Sequence, residues 1–193
     1  VNNRREPVDH FEFILVITSV IFALAVAQVL SGVSRLAQSR SNIRFFLPHS
    51  IWVINLFVFI FLVWWVSWEF RDIQWTFPRY AYMILAPTLL YFACSLVMPQ
   101  HIDDPEFRMD EHFFQIRRPL FISFALTTVV VGVDGDVLGD ERLWHTGRTA
   151  NIAMLCFAVW GYVSTNRNTH KIVAGLILLV FVSLIAFRFW NPR

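Results

Sequence analysis

Long runs of apolar residues are the feature that most limits what this chain can fold into. Six of them predict membrane-spanning helices, at about 11–32, 50–68, 81–98, 113–133, 149–165 and 171–189. A helix needs about 20 mostly apolar residues to cross the hydrocarbon core of a bilayer. Only helices and closed barrels satisfy their backbone hydrogen bonds in that solvent. The runs therefore predict an all-α, polytopic transmembrane helix bundle that forms one domain over 1–193.

Composition agrees with a lipid environment. Hydrophobic residues make up 56% of the chain and charged residues only 16%, whereas an average soluble domain carries about 25% charged residues. The basic residues form no run that would follow a nucleic-acid backbone, so the lipid bilayer is the expected partner and nucleic acid is not. They are divided evenly between the two sides of a six-span topology, which leaves the orientation open.

Polar side chains inside the predicted spans are few, and each is costly in lipid. They are Gln28, Asn55, Thr127 and Thr128. Amides and hydroxyls of this kind can line a pore or make hydrogen bonds between helices. Since none of the four is ionisable, they argue against a proton-coupled carrier and leave a pore for an ion or small solute open.

Two adjacent arginines, Arg117 and Arg118, lie at the start of the fourth predicted span. Long basic side chains near a helix end can extend to the interface and keep their charge in water. Alternatively, the pair faces a cavity and binds an anion or an acidic partner. The sequence leaves both interpretations open.

Small residues recur at every fourth position of the first span, at Ser19, Ala23 and Ala27. This spacing places them on one helix face, where a neighbouring helix can approach closely. The face either seals the core of the monomer or forms a subunit interface. A homo-oligomer or a larger membrane complex is therefore a possible assembly.

Two groups of side chains are candidate metal ligands: His49, His101, His112 and His170 on one side of the membrane, and Asp134, Asp136 and Asp140 in the fourth loop. Each histidine would come from a different segment, so scattered interfacial histidines are the alternative. The acids follow the opening of a calcium loop, but Leu138 and His145 occupy ligand positions, which favours a solvated turn. No cofactor is indicated, and haem is not expected because no predicted span contains a histidine.

Motifs of known enzymes are missing from the sequence. It has no zinc-binding helix motif, nucleophile elbow, phosphate-binding loop or dinucleotide fingerprint. Nothing pairs a nucleophile with a base. The sequence therefore favours a protein that is not an enzyme.

Three stretches resemble a family of six-helix bacterial inner-membrane proteins of unknown function: Trp64–Asp72, Trp75–Pro78 and His112–Arg118. The resemblance covers most of the chain and implies the helix count and a bacterial inner-membrane location, but no activity. The six-helix plan is also loosely similar to the small bacterial relatives of lysosomal TMEM-type potassium channels. That family carries Phe-Ser-Asp in its first helix, where this chain has Phe11–Phe13 with glutamate in the middle.

Three functions are compatible with these patterns. The first is an ion or small-solute channel or transporter, which predicts a water-filled path lined by the polar intramembrane residues. The second is a non-catalytic accessory or scaffold subunit, which predicts a dry bundle with an exposed small-residue face. The third is an intramembrane enzyme or metal-binding sensor, which predicts that the histidines converge with carboxylates.

Overall fold

The structure is a computed structural model that describes residues 10–39, 42–100, 102, 106–138 and 147–189. Its helices are α1 (His10–Gln38), α2 (Leu47–Ser67), α3 (Phe77–Met83), α4 (Leu85–Val97), α5 (Met109–Gly132), α6 (Asp134–Leu138), α7 (Arg148–Val163) and α8 (Arg167–Leu184). A 3-10 turn, Trp68–Phe70, extends α2, and a π-helical turn, Ile185–Phe189, extends α8. Two short strands, β1 (Asn42–Arg44) and β2 (Glu106–Arg108), complete the described elements.

Five helical segments are long and apolar enough to cross a membrane: Phe11–Gln38, Leu47–Phe70, Phe77–Val97, Met109–Gly132 and Arg167–Phe187. The predicted helical membrane architecture is thereby confirmed. The sixth span, predicted at 149–165, is not confirmed. Helix α7 covers that region with only 16 residues, which is about 24 Å at a rise of 1.5 Å per residue, whereas the hydrocarbon core is about 30 Å thick.

Several helices differ from their predicted bounds because their polar first turns hid their starts. Helix α5 begins at Met109, four residues before the predicted span, and α8 begins at Arg167 rather than at 171. The side chain of Asn166 caps α8 by accepting a hydrogen bond of 2.9 Å from the backbone N–H of Asn168. Because the helices start earlier than predicted, three spanning segments contain a histidine: His49, His112 and His170. The prediction that no span contains a histidine, from which haem was not expected, is therefore wrong.

Proline explains the interruption between α3 and α4. Pro87 has no backbone N–H, so the carbonyl of Met83, four residues earlier, has no helical donor at that position. The helix is interrupted at Ile84 and resumes at Leu85. The two helices together make up the third spanning segment.

The helices form a ring in which α1, α4, α5, α7, α8 and α2 are neighbours in that order. Helix α2 also crosses the ring to contact α4 and α5. Helices α2 and α8 run parallel, since Asn55 contacts Ala174 and Phe59, further along α2, contacts Phe181, further along α8. The seam between α2, α5 and α8 is the centre of the bundle.

Aromatic rings fill this central seam. The ring of Trp52 meets those of Phe121 and Phe124 edge-on, with centroids 4.9 Å and 5.0 Å away. The ring of Phe59 lies 5.1 Å from that of Phe181 and 5.5 Å from that of Phe124. All five side chains are buried, so aromatic packing holds the three helices together along this seam.

One small parallel sheet accompanies the helices, and the all-helical fold class is as predicted. Strand β1 pairs with β2 so that Asn42 lies opposite Glu106 and Arg44 opposite Arg108, and the Arg44 guanidinium forms an ion pair with the Glu106 carboxylate. The strands lie just before α2 and α5. We call this end of the bundle the sheet end, and the opposite end, where α6 lies, the α6 end.

Candidate functional site

Two histidines at the sheet end share one backbone carbonyl. The Nε2 atoms of His49 and His112 lie 2.7 Å and 3.3 Å from the carbonyl oxygen of Val97, and the ring centroids are 6.0 Å apart. A carbonyl only accepts hydrogen bonds, so both Nε2 atoms donate. Val97 is the last residue of α4, where carbonyls lack partners within the helix. The two imidazoles therefore cap α4 from α2 and α5.

The end of α7 is held in the same way. The carbonyl of Ser164 accepts a hydrogen bond from Arg117 Nη1 and another from His170 Nε2, the latter at 3.1 Å. Arg117 is only 7% exposed and His170 is completely buried. Side chains from α5 and α8 thus fix the turn between α7 and α8.

The predicted arginine pair does not act as a pair. Arg117 lies inside the bundle on the Ser164 carbonyl, whereas Arg118 is exposed. Successive residues of a helix point about 100° apart, which accounts for the divergence. Two turns earlier on α5, the buried carboxylate of Asp110 accepts hydrogen bonds from Arg108, at 3.2 Å, and from Arg167. Neither of these bonds involves Arg117 or Arg118, so the anion or acidic partner predicted for that pair stays a prediction.

The predicted metal ligands are not gathered into one site. Within the described residues, no group of three or more His, Cys, Asp or Glu side chains could hold a metal ion. His49 and His112 are neighbours, but His170 lies on a different carbonyl. His101 and Asp140 lie outside the described residues.

The four polar intramembrane candidates are likewise not brought together. The hydroxyls of Thr127 and Thr128 donate to carbonyls of their own helix, each at 2.9 Å. The Nδ2 atom of Asn55 donates to the carbonyl of Ala174 at 2.9 Å, which links α2 to α8. Gln28 lies partly buried on α1. The water-filled path lined by Gln28, Asn55 or the threonines, which the channel hypothesis predicted, stays a prediction.

The small-residue face of α1 is mostly uncovered. Ala23 and Ala27 are exposed, and Ser19 is partly buried. The hydroxyl of Ser19 accepts a hydrogen bond of 3.3 Å from Trp64 Nε1 on α2. Only the first of the three residues thus contributes to packing within the monomer.

A cavity of about 80 Å³ lies at the α6 end, between α2, α5, α6, α7 and α8. Its walls combine apolar side chains, among them Phe59 and Phe181, with Asp134, Arg148 and Asn151. One water molecule needs about 10–15 Å³ of such space, so there is room for several. Sequence reasoning missed this cavity because its polar residues come from separate elements and share no motif.

Asp134 lies where this cavity meets a smaller one of about 10 Å³. Burial raises the pKa of its carboxyl to about 7, and a hydrogen bond with the Tyr82 side chain opposes that rise. The neighbouring carboxylate, Asp136, lies 3.8 Å from the Arg148 guanidinium. The cavity thus carries a carboxyl group that titrates near neutral pH.

Asp134→Asn is expected to remove a pH dependence from stability. The unfolded carboxyl titrates near pH 4 and the folded one at about 7, so the fold favours the protonated form. Its contribution is fully present below about pH 4 and is lost as the pH rises through about 7. The wild-type thermal midpoint should fall more between about pH 5 and about pH 8 than that of the variant. Parallel curves for the two proteins would contradict this assignment.

Four buried polar atoms lack a hydrogen-bond partner in the central seam, counting only the described residues: Trp52 Nε1, Asn55 Oδ1, Arg117 Nε and His170 Nδ1. Such atoms are rare in folded proteins, and each requires a physical explanation. Trp52 was not among the residues that the sequence singled out, since an indole in an apolar run gives no signal of its own.

Comparison of the chain with protein-family models, with curated proteins and with solved structures found no match. The resemblance to bacterial inner-membrane proteins therefore stays a prediction. What the site does has to be inferred from its own geometry.

Proposed function

We propose that this membrane protein is a channel or transporter for an ion or small solute, with its pathway in the seam between α2, α5, α7 and α8. The observation that carries the proposal is the alignment of two features along α2. The cavity at the α6 end reaches Phe59, and the polar atoms without partners begin at Asn55, about one helical turn away.

Between these two features the seam is closed by aromatic rings. Phe59, Phe124 and Phe181 form a layer with centroid distances of 5.1 Å and 5.5 Å. Hydrophobic constrictions of this kind close pores by excluding water. In this proposal the aromatic layer closes the pathway, and the cavity lies on its α6 side.

Six crossings of the membrane are part of this proposal. The contacts of Arg117 with Ser164 and of Asp110 with Arg167 hold the end of α7 beside the start of α5. Helix α7 therefore returns along α5 from the α6 end to the sheet end. Local thinning of the bilayer accommodates spanning helices shorter than the hydrocarbon core.

A non-catalytic accessory or scaffold subunit of a larger membrane complex is the second candidate. It is favoured by the exposed Ala23 and Ala27 on α1, where a helix of a second copy or of another subunit could approach closely. The packed aromatic seam fits this function as well. The intramembrane enzyme or metal sensor has no comparable support among the described residues.

Flux into liposomes separates the two candidates. Purified protein is reconstituted, and uptake of potassium, sodium, protons and chloride is measured beside osmotic shrinkage by small neutral solutes. Phe59→Ala is expected to raise the protein-dependent flux severalfold, because it removes one ring from the layer that closes the seam.

Phe61→Ala is the matched control, because the Phe61 ring lies two residues further along α2 and is 49% exposed. It should leave the flux at the wild-type level. If neither wild-type nor Phe59→Ala protein carries any flux while both are folded and monodisperse, the transport proposal fails. The accessory-subunit function then becomes the better interpretation, and its partner would be sought by pull-down from native membranes.

A further inference from the structure

Two of the four residues that carry unpartnered atoms, Trp52 and His170, pack against one ring, that of Phe121. The rings of Trp52 and His170 lie 4.9 Å and 5.8 Å from it, centroid to centroid, and Arg117 precedes it by about one turn of α5. Asn55 is held at the same level because it bonds to Ala174, one turn beyond His170 on α8. We call these five residues the Phe121 layer.

The hydrogen-bonding roles in the Phe121 layer follow from the bonds already made. Asn55 donates through Nδ2 to a carbonyl, so its free Oδ1 is an acceptor. His170 donates through Nε2 to a carbonyl, so the free Nδ1 of the neutral imidazole is also an acceptor. The free Nε–H of Arg117 and the free Nε1–H of Trp52 are donors. The layer therefore offers two donors and two acceptors.

This balance selects among possible ligands. A cation would meet the Arg117 guanidinium, and the polar atoms of the layer include no carboxylate to balance its charge. An anion could use the two N–H groups but would face the lone pairs of Asn55 Oδ1 and His170 Nδ1. A molecule that both donates and accepts hydrogen bonds matches both kinds of free atom, as buried waters do in folded proteins.

We propose that the Phe121 layer is a binding site for a small neutral molecule that donates and accepts hydrogen bonds, with water as its smallest member. The inference rests on the proposed transport function and narrows it: the species that moves along the seam is a neutral hydroxyl or amide compound, or water, and not an ion. The same seam leads from this site, past the aromatic layer, to the cavity at the α6 end.

Osmotic shrinkage of proteoliposomes tests this inference. Vesicles that hold the full chain are mixed with sucrose, glycerol or urea, and the volume change is followed by light scattering, beside the ion panel described above. We expect water, glycerol or urea to cross faster than in empty vesicles, with no protein-dependent ion flux. Asn55→Leu and Trp52→Phe each remove a free polar atom from the layer. Each should abolish most of the protein-dependent increase in permeability to water, glycerol or urea.

Thr18→Val is the matched control. Its hydroxyl is also buried but donates to the Ile14 carbonyl of its own helix at 3.0 Å, and α1 lies outside the proposed pathway. It should retain the wild-type rate. A high-resolution map of the wild-type protein provides a second readout that does not depend on the variants folding: density for a bound molecule beside Trp52 Nε1 and Asn55 Oδ1 is expected.

The outcomes separate the two proposals. Protein-dependent ion flux without a change in permeability to water, glycerol and urea would overturn the neutral-ligand inference and leave the transport function standing. No flux of any kind would overturn both. A map without density for a bound molecule at the Phe121 layer would overturn the binding site itself. So would a protein-dependent permeability that stays at the wild-type level in both variants.

Discussion

Replacing Phe124 with alanine is expected to lower the free energy of unfolding by roughly 3–5 kcal/mol, the usual cost of deleting a buried aromatic side chain. Its ring is completely buried and touches two other rings, those of Trp52 and Phe59. Because interiors are close-packed, the neighbours cannot collapse fully into the space that is lost. Unfolding in detergent, followed by tryptophan fluorescence, measures the change.

Phe92→Ala provides the comparison for this experiment. Phe92 lies on α4 and is 54% exposed, so its removal leaves no internal cavity. Its unfolding curve should stay close to that of the wild-type protein. Equal losses for Phe92→Ala and Phe124→Ala would show that the aromatic seam is not the packed centre of the bundle.

Gly161→Leu is expected to detach α7 from α5, with a loss of stability of roughly 1–3 kcal/mol or more, as overpacked cores show. A Cβ atom at Gly161 would overlap the ring atoms Cε1 and Cζ of Phe121. That ring cannot move aside easily, because Trp52 and His170 enclose it. The thermal midpoint of the purified protein should therefore fall.

Gly175→Ala is the control for Gly161. It lies in α8, and a Cβ atom there would meet nothing within 4 Å. Alanine is the better helix former by about 1 kcal/mol, so the thermal midpoint should stay the same or rise slightly. A fall as large as that of Gly161→Leu would mean that any glycine replacement disturbs these helices, and the argument from close contact would fail.

The sequence predicted the architecture well, because apolar length is a direct consequence of bilayer thickness. It was less accurate at helix ends. Helix α5 starts at Met109, before the predicted span, and its first turn contains Asp110, which looks like a loop residue in the sequence but bonds to Arg167. Arg117, one of the two arginines at the start of the predicted span, bonds to the Ser164 carbonyl. Those partners are distant in the chain, so no local pattern reveals them.

The candidate site was harder to predict than the fold. The predicted topology grouped four histidines on one side of the membrane: His49, His101, His112 and His170. The partners of the three described ones are backbone carbonyls, and backbone groups carry no sequence signal. The Phe121 layer depends on the parallel packing of α2 and α8, which are far apart in sequence. Whether a polar atom has a hydrogen-bond partner can be judged only when its neighbours in the folded protein are known.

The small sheet has a consequence for how the protein is made. Strand β1 leaves the ribosome more than sixty residues before β2, which at about 5–20 residues per second is a delay of several seconds. During that interval β1, which lies between α1 and α2, has no partner strand. The pairing of Arg44 with Glu106 closes the edge of β1 only after α3 and α4 have brought the chain back to the same side. We therefore expect a nascent chain whose third segment is inserted wrongly to lack this sheet, because β1 and β2 would then lie on opposite sides of the membrane.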